Sequence, residues 1–217
     1  MENEELREIA AQLRQPSGTK GTEMAVMMNE TNIGMTMDAI KNLDLKANDQ
    51  VLELGHGNGG HLAYLLEQAK NLHYTGLEIS ELMHQEAQNS QSKFVELSKA
   101  SFSLYDGLRI PFPENSFDKI LTVNTIYFWA DPPALLTAIY NVLKPGGRCC
   151  LTFADSSFME TLPFTQFGFE LYNIPKIESL IAQSPFQMLK TCEQTEKVKT
   201  KVGNLVDRQF ITIILSK

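Results

Sequence analysis

The chain is poor in the residues that would place it in several functional classes. Its 217 residues include three cysteines and one tryptophan. Cys149, Cys150 and Cys192 form no CxxC pair, which leaves neither a disulfide framework nor a thiol-ligated zinc site. His61, His73 and His84 lack the paired His or Cys spacing of a closed metal site, so no metal is expected. Basic charge is also short. Lysine and arginine total 19 against 26 acidic residues, and a net charge of −7 does not steer the surface toward nucleic acid or anionic lipid. No apolar run approaches the ~18 residues of a membrane span. The acidic opening MENEELREIA lacks the basic-then-apolar form of a signal peptide. These absences predict a cytoplasmic protein with neither nucleic acid nor membrane as partner.

The balance that remains, 43% hydrophobic and 21% charged, is that of an ordinary globular chain able to bury a core without metals or disulfides. Adjacent Cys149 and Cys150 lie in an apolar run and read as core filling. Lys197, Lys199 and Lys201 alternate with Val198, Thr200 and Val202, the wet face of a strand.

Helical spacing of Leu6, Ile9, Ala10 and Leu13 predicts a helix over Asn3 to Arg14, broken by Gln15-Pro16-Ser17-Gly18. Two further helices are expected at about Gly21 to Asn32, rich in methionine, and Thr36 to Asn42. The pattern then alternates. Strands are expected at Val51–Leu54, His73–Glu78, Ser101–Tyr105, Lys119–Asn124 and Arg148–Ala154. Between them lie helices resuming at Leu62, spanning Ser80 to about Ser98, and starting at Asp131-Pro132-Pro133, where an N-cap side chain precedes proline. That last helix should stop at Lys144-Pro145-Gly146-Gly147. A short helix from Pro175 to about Pro185 is followed by strands Phe186–Val198 and Gln209–Leu215, which should pair antiparallel because no helix separates them. The sum is an α/β, Rossmann-like fold. Its seven-stranded sheet is mostly parallel with an antiparallel last strand, and helices cover both faces.

Glycines packed between Leu54 and Leu62 open the crevice where doubly wound folds bind ligands. Gly55, Gly57 and Gly60 satisfy GxGxxG, the dinucleotide pattern; Glu53, Gly55, Gly57 and Gly59 satisfy ExGxGxG. Glu78, ending the next strand, can bridge two ribose hydroxyls under either reading.

VLELGHGNGG, YTGLEIS, YDGLRIPFPENSFDKILTVNTIYFW and LKPGGRCCLTF, in that order over Gln50 to Phe153, resemble the small-molecule branch of the class I S-adenosylmethionine (SAM)-dependent methyltransferases. The resemblance implies SAM as cofactor and S-adenosylhomocysteine as product. It implies a cofactor site of Glu53, Gly55, His56, Gly57, Gly59, Glu78, Ile79, Asp106, Gly107 and Asn124. Asp106 would take the adenine amine and Asn124 would lie near the sulfonium. The chemistry agrees, since ammonium, ribose diol and adenine amine are all donors for carboxylates. His56 departs from the family, which commonly has a small residue there; it packs over the methionyl end or points into solvent.

Methyl transfer needs alignment more than a catalytic group, so no catalytic residue is assigned. Tyr127, Phe128 and Trp129 form an aromatic cluster that either faces the acceptor or plugs the core. A second aromatic segment, Phe158 to Tyr172 with Phe164, follows the fifth strand. Tyr127, Trp129 and Phe164 are the substrate-side candidates for a small, partly apolar acceptor. The expected organisation is one domain over 1–217: a helical cap (1–45), a SAM-binding core (50–154), an acceptor-side insertion (155–185) and closing strands (186–217). Two other readings stay open, a NAD(P)-dependent oxidoreductase and a SAM-binding protein without methyl transfer.

Overall fold

The computed structural model describes residues 2–199 and 205–217. It contains helices α1 (Asn3–Arg14), α2 (Gly18–Asn42), α3 (Leu62–Glu67), α4 (Glu81–Ser90), α5 (Ser92–Glu96), α6 (Pro132–Val142), α7 (Ser156–Met159) and α8 (Ile174–Ile181). The strands are β1 (Gln50–Leu54), β2 (His73–Glu78), β3 (Ala100–Leu104), β4 (Phe117–Val123), β5 (Leu143–Ala154), β6 (Gln187–Lys199) and β7 (Leu205–Ser216). Their order in the sheet is β3-β2-β1-β4-β5-β7-β6. Strands β1 to β5 pair in parallel, and β7 enters antiparallel between β5 and β6. The sheet order reverses between β1 and β4, which puts a crevice at the carboxyl ends of those strands.

Two apolar clusters cover the two faces. One is built on Leu52, Leu54, Ile120, Leu151 and Ile213 under α6 and α8; the other on Val51, Leu62, Tyr74, Leu121 and Cys150 under α2 and α3. Cys149 and Cys150, on successive positions of β5, each fill one of them. Helix α6 starts as its sequence requires, with the Asp131 carboxylate accepting from the Ala134 amide at 3.0 Å.

Three expectations are corrected. The two helices foreseen between Gly21 and Asn42 are one, α2. Its interior Gly34 weakens a helix, by ~1 kcal/mol relative to alanine. Here tertiary contact overrides that cost. A Cβ on Gly34 would stand 2.0 Å from Glu196 Oε2, so a larger residue would displace that carboxylate from its place against the helix. Arg208 clamps the same place, donating to Glu196 Oε1 (2.6 Å), Asn32 Oδ1 (3.1 Å) and the Thr31 carbonyl (2.5 Å). Second, the helix foreseen from Ser80 to Ser98 divides at Gln91, in a run whose side chains compete with the backbone; Ser90 Oγ donates to the Asn58 carbonyl at 3.3 Å. Third, Lys144–Gly147 belongs to β5. A register shift between Phe117 and Lys119 absorbs those residues as a bulge, with Gly146 at φ +76°.

Lys197 is exposed on β6 and pairs with Asp207 directly opposite, at 2.9 Å. Thr200, Lys201 and Val202, expected to continue that wet face, lie outside the described residues.

Candidate active site

β1 runs into the glycine turn, which overhangs the switch-point crevice. Gly55, Gly57 and Gly59 all adopt positive φ, and Gly60 does not. The backbone therefore follows the ExGxGxG register. Gly55 is doubly constrained, because its φ is +75° and a Cβ there would lie 2.4 Å from Thr125 Cγ2 at the end of β4. Gly59 faces away from the crevice, toward Ala87 and Phe102, whereas the space over Gly57 is open.

Three carboxylates surround this turn in different states. Glu53 is buried, and its Oε2 accepts from His61 Nε2 at 2.6 Å and from the Tyr74 hydroxyl at 2.5 Å. Burial depresses the His61 imidazole, but the Glu53 charge and hydrogen bond outweigh it and the net shift is upward. Burial, then the Glu53 charge, pushes the Tyr74 phenol well above its ordinary value. Glu78 is also buried. Its Oε1 accepts from the amides of Ile79 (2.8 Å) and Ser80 (3.1 Å), and its Oε2 from Gly57 (3.0 Å). Desolvation raises its pKa against the lowering effect of those amides. Asp106 is exposed beyond β3. Its Oδ1 accepts from the Arg109 (2.7 Å) and Leu108 (2.8 Å) amides, which lower its pKa and keep it ionised.

The cavity at the crevice is lined by Glu53, Gly55, His56, Gly57, Glu78, Ile79, Gly107 and Asn124 among the residues foreseen. Asp106 stands just outside this wall, next to Gly107. Asn124 has φ +57°; its Oδ1 accepts from the Tyr127 hydroxyl (2.9 Å) and the Ala154 amide (3.2 Å), tying the ends of β4 and β5 together. Of the aromatic candidates, Trp129 lines the cavity, with its indole N–H donating to Thr125 Oγ1 at 3.1 Å, and Phe128 lines it too. Tyr127 is turned inward, its hydroxyl 2.7 Å from the Ala154 amide nitrogen, and Phe164 packs on Phe169; neither lines the cavity. From the opposite side α1 and α2 close the wall with Arg14, Met28, Asn29, Asn32 and Thr36. Arg7 of α1 lies 4.4 Å over the Phe167 ring, so the N-terminal helices meet the aromatic segment.

His56 does not point into solvent. It is 3% exposed, packed on Phe102 at 4.9 Å and over Gly76, where a Cβ would stand 2.6 Å from the ring. Nδ1 faces the Gly57 carbonyl at 2.7 Å and must carry the proton, since a carbonyl only accepts. Nε2 has no partner. Burial takes its pKa down to about 4, so the ring is neutral.

Sequence reasoning missed Tyr74 and set His61 apart as an isolated histidine. The signal for Tyr74 was geometric: β1 and β2 pair in parallel with Glu53 opposite Gly76, so Tyr74, two residues earlier, shares the face of Glu53.

Residues 52–151 match the family model of the methyltransferase domain. The uncharacterized methyltransferase YdaC of Bacillus subtilis is 30% identical over 143 residues, 64% of this chain and 76% of that protein. The chain belongs to the SAM-dependent methyltransferases. A fatty-acid O-methyltransferase of Mycolicibacterium smegmatis is 29% identical over 64% of this chain, which spans only 44% of that protein. In fold, this methyltransferase is similar to a SAM-dependent methyltransferase from Aquifex aeolicus, with a TM-score of 0.66 at 16% identity, covering 89% of this chain and 97% of that one. SAM is accordingly its cofactor. Among the described residues no group of three or more His, Cys, Asp or Glu side chains is arranged to hold a metal ion, and no helix is long and apolar enough to cross a membrane.

Proposed function

We propose that this methyltransferase acts on a small molecule, partly apolar, bound in the crevice beside the cofactor. The observation that carries the acceptor is the apolar wall of Val123, Phe128, Trp129 and Met28, and the one that carries the cofactor is the set of acceptor atoms left over around the glycine turn. Glu53 keeps Oε1 for the ammonium of the amino acid end, Glu78 keeps a lone-pair site for the ribose, and Asp106 keeps Oδ2 for the adenine amine. The same set opposes a nicotinamide dinucleotide. Its pyrophosphate would meet a buried carboxylate under the turn, and the Gly57 amide already donates to Glu78.

When bound, SAM supplies an electrophilic methyl on a sulfonium whose leaving group is a neutral thioether. The chain's part is to hold and to exclude. Asn124, fixed from two sides, presents its edge at the carboxyl end of β4, while Val123, Phe128, Trp129 and Met28 offer the acceptor an apolar wall from which water is displaced. Phe128 and Trp129 are favoured over Tyr127 and Phe164 as acceptor contacts. We place the protein in the cytoplasm, where its three free cysteines persist as thiols.

Incubation with methyl-labelled SAM and a whole-cell extract, macromolecules included, should put label into the low-mass fraction. Label confined to polypeptide or nucleic acid would overturn the small-acceptor reading. No label anywhere, with cofactor binding intact, would favour the binding protein without methyl transfer.

In the same reading residues 1–45 form a cap over the core at 50–154, with 155–185 on the acceptor side and 186–217 closing the sheet. The cavity holds about 160 Å³, less than the ~300–1,000 Å³ of sites that bury drug-sized ligands. In this reading the cap shifts when cofactor and acceptor bind together. Amide exchange with and without S-adenosylhomocysteine is expected to show added protection in α1–α2 or in residues 158–172. Protection confined to the glycine turn would make both segments scaffold only.

A further inference from the structure

The buried group beneath the glycine turn has a role beyond packing. Glu53, His61 and Tyr74 are 2%, 6% and 1% exposed. They come from β1, the N-cap of α3 and β2. Both neighbours donate to the same carboxylate oxygen, Oε2, at 2.6 and 2.5 Å. Among the described residues no donor reaches Oε1, although Glu53 lines the cavity.

That asymmetry matters. A buried carboxylate is costly unless its oxygens are satisfied, and two short bonds on one oxygen fix the plane of the group. The second oxygen is then held as an unpartnered acceptor aimed at the crevice, with its torsion set before any ligand arrives. Preorganisation of this kind raises affinity by removing an ordering cost from the binding step.

We propose that His61 and Tyr74 are positioning residues that orient Glu53 as the receptor for the ammonium group of the cofactor's amino acid end. The proposal rests on the assignment of Glu53 to that end. It makes a selective prediction, because 5′-methylthioadenosine shares the nucleoside and the sulfur with S-adenosylhomocysteine but has no ammonium. Neither positioning residue should matter to it.

The experiment is titration calorimetry of both ligands against the intact chain and three variants, Tyr74→Phe, His61→Leu and His61→Gln, with each melting temperature measured without ligand. Tyr74→Phe and His61→Leu are expected to weaken S-adenosylhomocysteine about tenfold while changing 5′-methylthioadenosine by less than about twofold. His61→Gln, which keeps an N–H donor, should recover most of what His61→Leu loses. Equal weakening of both ligands, or unchanged S-adenosylhomocysteine binding, would overturn the proposal in favour of a packing role. If His61→Leu does not fold, the nearly isosteric Tyr74→Phe decides alone. Glu53→Gln separates the two levels. If it leaves the ratio of the two affinities unchanged, the assignment of Glu53 itself fails. If it collapses that ratio while Tyr74→Phe does not, only the positioning role fails.

Discussion

Glu78→Ala is expected to weaken S-adenosylhomocysteine binding by about a hundredfold, on the basis of ~1.5–3 kcal/mol for a charge-assisted hydrogen bond and further loss from a loosened turn. The second contribution follows from the structure. Glu78 accepts from the amides of Gly57, Ile79 and Ser80, so its removal orphans three donors and leaves the glycine turn held to β2 by the Gly55 amide on the Leu77 carbonyl. A carboxylate offers about four lone-pair sites, and three are already used. The ribose diol expected from sequence to bond Glu78 through both hydroxyls thus finds one free site, and the 2′-deoxy and 3′-deoxy analogues should lose affinity unequally on the intact chain. Asp106→Asn should instead weaken the adenine ligand more than its inosine counterpart, since Oδ2 is the acceptor left for the exocyclic amine. Calorimetry reads all of these. Unchanged affinity in both variants, with melting temperature preserved, would remove Glu78 and Asp106 from the site.

His56 should make the fold acid-sensitive. Its pKa is about 4 in the folded chain against 6.5 for the free side chain, because burial among Phe102 and Gly76 disfavours the charged ring. The unfolded chain therefore binds the proton first as pH falls. The contribution is fully present above the unfolded value, shrinks as pH drops, and is lost once pH passes the folded value. A gap of about 2.5 pH units corresponds to about 3 kcal/mol, of which about 2 kcal/mol lies between about pH 7 and about pH 4.5. His61 has the opposite sign: its folded pKa is raised, so its contribution is present at low pH and lost as pH rises through that folded value. The comparison must therefore isolate His56. Urea unfolding of the intact chain and of His56→Gln at the two pH values should show the intact chain losing about 2 kcal/mol more. Parallel losses would mean that His56 is not buried neutral.

Much of the fold was legible because its signals are local. Short strand-like runs, most of them set between stretches of helical spacing, marked the strands in order, and the lack of a helix before Gln209 marked the antiparallel return of β7. The glycine turn was legible because positive φ at Gly55, Gly57 and Gly59 favours a residue without a Cβ. What escaped depends on contacts distant in sequence. The gap expected between Asn32 and Thr36 closes once Gly34 is seen against Glu196. Lys144–Gly147 reads as a loop until β4 pairs beside it through a bulge. His61 gains its meaning from Glu53, and Tyr74 from the register of β2 on β1. The aromatic run at Tyr127 to Trp129 shows the same limit from the other side. Composition offered three equal rings, but a short 3-10 turn over Ile126–Phe128 sends Tyr127 into the core and leaves Phe128 and Trp129 on the cavity.

The central claim is that the crevice at the ends of β1, β2 and β4 is a SAM site and not a dinucleotide site. Titration calorimetry of the purified chain with S-adenosylhomocysteine and, separately, with NADH tests it most directly. The account predicts saturable heat with one-to-one stoichiometry for S-adenosylhomocysteine and none for NADH. Tight NADH binding with no response to S-adenosylhomocysteine would contradict it.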